Sequence, residues 1–572
     1  GLLNPKSVVV PGFIRYQGQA YKVKLRHKGV SFDHRNTGKM SLRISIKDGK
    51  SLFGMQEFAI QHPVVRGFLM ESGYMDHLRI EGVLAPRYQY INVVFNGTKK
   101  GIFALEEHFS KELVESQGRR EGVLLRLKQN FLDYSHTWRM NMTIFTHFST
   151  AEIGSFKSKR ILKREALKLQ YQIAHQLLED FRTGKKKTSE VFDIPNTAKY
   201  LAVTELWNAC HAEIFGNIRF YYNPITSLLE PVGYDAESTL SSLRGYPASD
   251  EPSLCTFNRG EFALELLSDK EMVLSFEKEL RRILHPEYIE NLQKEMSGPY
   301  EGLRQEMRAE YPYIPKAQAL FNALKFRAQF IMNTNERRRI ERGRVVVTSD
   351  KEKYHPLSRI QGYFTLNQMN LSKRPVVEIH IANTLPEPIE LVGIKVEQNN
   401  IEKFIPAEKL AHLAGDQSDP LWLPAKKTRR PLQYVSFMPP RDVSLDAPPP
   451  SEKLSIKVVV KAITDGEAFT YPVFYRYFSS LNRLASRPKY PAMGKLLSQH
   501  PFLKLEKNLV IRIQPGTWNV LGNLLIPPGY TLKIEDSVVL RFEKGAIFVT
   551  SSSTQFRGSL DNPVVFEPIG DS

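Results

Sequence analysis

The segment GNIRFYYNPITSLLEPVGYDAES, from Gly216 to Ser238, reads as a strand, a turn and a returning strand. An Asn stands at its mouth and an Asp-x-Glu follows its end. NPIT supplies the turn, with Pro224 presetting φ. Pairing Asn223 with Ser227 sets Asn217 opposite Gly233. Alternation then brings Asp235 and, if the chain stays extended, Glu237 to the same open end. Such oxygen donors suit Mg²⁺ or Mn²⁺ bridging phosphate oxygens. An Asn and an Asp around a nucleotide-bound metal are also the pair that protein kinases use. Caps on two strand ends would need the same residues, so spacing leaves both readings open. The chain holds no G-x-x-x-x-G-K-[ST] and no G-x-G-x-x-G, so side chains or turn amides would have to hold phosphates.

The elements that position these residues fall into a long chain of 572 residues, too many for one core. Residues 1–344 read as α+β: alternating strands in AYKVKLRHKGVSF and SLRISIK, and a hairpin around Asn96-Gly97. Helices are expected from Ser155 to Gly184, from Asn196 to about Cys210 behind the DIPN cap signal, and from Pro315 to Arg344. Residues 345–480 turn to short strands with polar turns and a Pro-rich DAPPPSEK, which predicts a β-sandwich. A linker, 481–504, leads to 505–572, where short β segments recur at rung-like spacing. That predicts the start of a right-handed parallel β-helix, expected to continue beyond Ser572. The fold class is therefore multidomain: an α+β domain, an all-β sandwich and a partial β-helix.

Charge narrows the partners only by sign. The net charge of +18 favours anionic partners, but many lysines, as in Lys157 to Lys187, lie on the outer face of a helical repeat. No nucleic-acid-binding motif stands out, and no apolar run is long enough to span a bilayer. Cys210 and Cys255 make no disulfide framework or zinc spacing and leave the redox compartment open. Cys210 adjoins His211, but neighbours on a helix point apart, which argues against a nucleophile–base pair.

Four stretches resemble the CotH kinase family, the spore-coat-type atypical kinases of bacteria: KVKLRHKGVSFDHRNTGKMSLRISIK, INVVFNGTKKGIFALEEHF, VFDIPNTAKYLAVTELW and NIRFYYNPITSLLEPVGYDAES. They occur in the family's order across about residues 15–343. The resemblance implies a kinase-like domain using ATP with Mg²⁺ or Mn²⁺, with Asn217, Asp235 and Glu237 on the metal and Asp235 among the catalytic residues. It implies that Lys28, Lys39 and Arg43 contact phosphate, and that Glu107 orients a lysine. The acidic residue expected five positions before Asn217 is Ala212. His211 is then the candidate that positions or deprotonates the acceptor hydroxyl. The implied acceptor is a Ser, Thr or Tyr of a surface or envelope protein, with an envelope or secreted location favoured. Two alternatives stay open: a kinase-like scaffold without transfer activity, and a surface adhesion protein that binds glycan through its β-helix.

Overall fold

A computed structural model describes residues 8–29, 39–128, 152–182, 185–213, 216–238, 243, 261–267, 269–341, 360–367, 376–383, 389–398, 401–413, 433–437, 454–462, 466, 468–475 and 490–570. DAPPPSEK, most of the loop between Lys28 and Lys39, and Cys255 lie outside them. The chain divides into two compact units, one of residues 1–158 with 174–483 and one of residues 159–173 with 484–572.

The first unit opens with six antiparallel strands in the order β1-β2-β3-β4-β6-β5. They are β1 (Val10–Tyr16), β2 (Gln19–His27), β3 (Leu42–Ile46), β4 (Glu57–Gln61), β5 (Tyr88–Phe95) and β6 (Thr98–Glu107). Two hairpins turn on residue pairs with positive φ, Gln17-Gly18 and the expected Asn96-Gly97, as two-residue turns between twisted strands require. One face buries Tyr21, Val23, Ile44, Ile46, Phe58, Ile60, Phe103 and Leu105, the inward half of a period-two pattern. Between β4 and β5 the chain forms α1 (Leu69–Ile80).

A second sheet runs β10-β9-β7-β8, with β7 (Leu124–Lys128), β8 (Glu152–Ser155), β9 (Arg219–Asn223) and β10 (Leu228–Val232). β9 and β10 form the hairpin read from the sequence, but Asn223 pairs with Leu228 rather than Ser227. Ser227 takes φ +59 inside the loop, and its N–H closes on Asn223 O at 2.8 Å. The ladder shifts by one residue and ends at Arg219–Val232. The helix Ile194–Leu206 begins at an Asp193 cap that accepts from Asn196 N, as DIPN predicts. It stops before Cys210 because Asn208 turns left-handed, and a separate 3₁₀ turn spans Cys210–Glu213. Cys210 is disulfide-bonded and therefore holds no thiol to act as a nucleophile. The helices Lys270–Leu284, Pro286–Met307 and Ala317–Glu341 complete this part.

Farther along the first unit, seven strands pair in the order β14-β13-β16-β17-β11-β12-β15. They are β11 (Ile360–Asn367), β12 (Val376–Asn383), β13 (Ile389–Gln398), β14 (Ile401–Leu413), β15 (Gln433–Phe437), β16 (Leu454–Ala462) and β17 (Ala468–Tyr475). Two antiparallel groups, β14-β13-β16-β17 and β11-β12-β15, are joined in the ladder by a parallel pairing of β11 with β17, through Tyr363–Phe474 and Phe364–Tyr475.

The second unit carries β18 (Leu503–Glu506), β19 (Val510–Ile513), β20 (Gly516–Val520), β21 (Leu524–Ile526), β22 (Thr531–Ile534), β23 (Val538–Phe542), β24 (Phe548–Thr550), β25 (Ser553–Phe556) and β26 (Val565–Pro568). Three parallel ladders result: β19-β22-β25, β20-β23-β26 and β21-β24. Ile511, Ile513, Val520, Leu524, Leu532 and Leu540 are among the residues that fill its core. Among the described residues, no helix is long and apolar enough to cross a membrane.

Candidate functional site

β10 leaves the sheet through Gly233, whose Cα lies so close to Leu78, Met75 and Ala85 that a side chain would clash. Two residues on, extended backbone ends: Asp235 has φ +59 and Glu237 φ +48. Strict alternation therefore does not hold past the hairpin, and a left-handed turn aims the two carboxylates instead. Both reach His211, whose Nδ1 lies 3.3 Å from Asp235 Oδ1 and 3.6 Å from Glu237 Oε2. One donor atom from each of the three residues fits within a span of 4.8 Å. Asn217 joins from the turn just before β9, donating its Nδ2 hydrogen to His211 O at 3.0 Å, with His211 Nδ1 at 3.1 Å. Its amide is thus tied to His211 rather than to either carboxylate.

A cation that the sequence reading missed completes the group. Arg66 Nη1 lies 2.8 Å from Asp235 Oδ1 and 3.9 Å from Glu237 Oε1, and the arginine is only 5% exposed. It ends a 3₁₀ turn, Pro63–Arg66, whose N-cap His62 accepts from Val64 N and whose C-cap Gly67 is left-handed. Burial would raise the Asp235 carboxyl, but Arg66 and the His211 hydrogen bond outweigh it and hold the group below the usual value. His211 moves the other way. Burial opposes its charge, yet Asp235 and then Glu237 raise its affinity for a proton.

Glu71, also absent from the sequence reading, lies beneath this turn. It is 1% exposed and accepts from the N–H of Asp235 and of Ala236, each at 2.9 Å. Burial, against the pull of Arg66, pushes its pKa up to about 8.

Beside these groups lies a buried lysine–carboxylate pair. Lys28 Nζ donates to Glu106 Oε1 at 2.8 Å and to Gln61 Oε1 at 3.1 Å. Gln61 Nε2 and Tyr88 Oη donate to the other Glu106 oxygen at 3.1 and 2.6 Å. The carboxylate that meets a lysine is therefore Glu106. Its neighbour Glu107 points to the opposite face of β6 and takes Arg87 instead, through Nη2 at 2.6 Å and Nε at 2.9 Å. Burial alone would raise Glu106, but Lys28 and Arg66 hold it down to about 2. Burial pushes Lys28 down to about 8 despite Glu106. The pair is thus a fixed carboxylate beside an ammonium less secure in its proton.

Lys39 and Arg43 are engaged elsewhere. Lys39 donates to Ile102 O and Tyr311 Oη, both at 2.8 Å, and pairs with Glu310. Arg43 contacts His108 and lies 3.9 Å from Glu57 Oε1. Of the basic residues picked from the sequence, Lys28 is the one that meets the β6 carboxylate.

The mixed α/β domain thus holds a buried Lys28–Glu106 pair and a turn that brings two carboxylates to His211. The sequence model of the family described as CotH kinase protein matches residues 14–333, more than half of the chain, and the chain belongs to that family. The family implies ATP-dependent, kinase-like chemistry. No curated protein matches the chain.

Proposed function

We propose that this protein is an atypical kinase that uses ATP with Mg²⁺ or Mn²⁺ to phosphorylate a Ser, Thr or Tyr hydroxyl on a surface or envelope protein. The observation that carries this reading is the convergence of Asp235, Glu237 and His211 within 4.8 Å, with buried Arg66 against the same carboxylates. The two carboxylates are oxygen donors suited to Mg²⁺ or Mn²⁺, and the imidazole beside them is left for the acceptor hydroxyl. Asp235 and Glu237 would hold the metal, with Asn217 steadying His211 beside them. A divalent cation there would offset charge on phosphate oxygens.

Lys28, oriented by Glu106, and Arg66 are the cations we assign to phosphate. Lys39 and Arg43 lose that assignment to their own carboxylate and imidazole partners. His211 would position the acceptor hydroxyl, and would accept its proton once the pH exceeds its raised pKa. The disulfide at Cys210 suits an oxidising, extracytoplasmic location. The test is ATP binding and turnover with each metal by wild type, Asp235→Asn and Asn217→Ala. The reading fails if wild type binds no nucleotide with either metal.

A scaffold without transfer activity is the second reading, favoured by the buried Ala212 at the expected acidic position. We also read the two antiparallel groups of β11–β17 as layers of a sandwich, and the three parallel ladders as the first coils of a β-helix. The glycan-binding alternative draws no support from Trp518. Its ring stacks on Phe502 at 5.9 Å and its Nε1 donates to Gln514 O, so it serves the coil itself.

A further inference from the structure

We propose that Glu71 is the positioning residue that imposes the left-handed turn at 235–237 and so sets where the two carboxylates stand. This rests on the metal–phosphate reading for its functional consequence alone. Non-glycine residues in the left-handed region persist only where the surroundings over-determine them, and Asp235 and Glu237 both occupy it. Glu71 supplies the constraint, because its two oxygens each take one of two successive amides, Asp235 N and Ala236 N. A side chain with a single acceptor oxygen cannot give each amide an oxygen of its own.

The clamp has further points of contact. Ser238 Oγ donates to Trp207 O at 2.7 Å, closing the far end of the turn. Ser238 O lies so near Gly67 that no side chain fits there. Between Arg66 and Glu71 stands Phe68 with φ +59, a third non-glycine residue in an unfavourable conformation. Its carbonyl is held by Tyr90 Oη at 2.6 Å and its ring packs on Tyr311 and Tyr313. Strain on both sides of one contact, the entry to α1 and the 235–237 turn, marks a junction built for geometry. Arg66 then grips the Asp235 side chain, while Glu71 grips the backbone beneath it.

Glu71→Gln keeps the shape but replaces one acceptor with an NH₂ that faces an N–H. The experiment is hydrogen–deuterium exchange over residues 233–238 in the full chain, wild type beside E71Q, together with Mn²⁺ titration. Slow exchange at 235 and 236 in wild type is expected, at least tenfold faster exchange confined to this turn in E71Q, and Mn²⁺ binding weakened about tenfold. Activity lost at low Mn²⁺ should return at high Mn²⁺, which a general folding defect would not allow. Wild-type exchange and Mn²⁺ affinity retained in folded E71Q would overturn the proposal. If E71Q does not fold, the wild-type amides decide: protection supports the clamp, and free exchange at 235 and 236 overturns it. A wild type that binds no Mn²⁺ sinks the metal reading, while the exchange contrast still decides the clamp.

Discussion

The Arg66 guanidinium and the Asp235 carboxylate meet at 2.8 Å with their side chains 6% and 8% exposed, joining residues 169 positions apart (235 − 66). A charge pair so far from water is costly to break on one side, because the survivor stays buried without its partner.

That pair confounds the simplest test of the site. Asp235→Ala strands Arg66 and should lower stability on the order of 3–5 kcal/mol, besides removing a metal donor. Asp235→Asn keeps an acceptor for Arg66 and should melt closer to wild type while still losing Mn²⁺. Thermal melts read beside calorimetric Mn²⁺ titrations separate the two effects. Equal melting of both variants would show that an acceptor without the charge does nothing for Arg66.

Glu106 and Glu107 are adjacent in sequence and should behave oppositely. Glu106→Gln removes the counter-charge of buried Lys28 and should weaken ATP binding about tenfold or more. Glu107→Gln disturbs Arg87, whose side chain is 27% exposed, and should leave ATP affinity near wild type. Fluorescent-nucleotide titrations of the two variants decide which carboxylate belongs to the site.

Acid should expose the same pair. The Glu106 carboxyl is held down to about 2 against an ordinary value of 4.5, so the unfolded chain takes up the proton first as pH falls. Its contribution is complete above about pH 4.5 and fades between there and pH 2, a loss of up to about 3 kcal/mol. Urea denaturation of wild type and Glu106→Gln across that range should show a gap that narrows as pH drops. A constant gap would place the carboxylate outside this linkage.

His211 should shape the pH–rate profile of any phosphotransfer. Because Asp235 and Glu237 raise its pKa, a base at this position gains activity with rising pH through a limb above 6.5. His211→Ala should lower kcat by about 10²-fold or more and flatten that limb. A profile unchanged in shape would leave His211 a neighbour of the chemistry and not a participant.

The β9–β10 hairpin and the Asp193-capped helix were legible because alternation and capping are local rules. The register was not, since nothing in NPITS says that Ser227 will turn left-handed and join the loop. The same blindness covers Asp235 and Glu237: extended alternation brought them to the right mouth by the wrong geometry. Choosing between Glu106 and Glu107 means counting faces along β6. A bulge at Lys100-Gly101, opposite Val93-Val94, shifts that count by one. Arg66 and Glu71 lay out of reach for another reason. Each meets the turn across more than 160 residues of chain, and a single sequence carries no trace of such contacts. The one local hint was a lone arginine in the apolar run PVVRGFLM.

Cys210 stands one residue before His211 in the same short turn, and its sulfur is already committed to a covalent link. A peptide segment stapled at that point does not drift freely, so the imidazole next to it inherits the staple's hold. Thiol reductants, added routinely during purification, would cut that staple. A protein assayed in their presence would carry the candidate base on a looser tether than one assayed without them. Redox history thus becomes a variable of the experiment on equal footing with metal and pH.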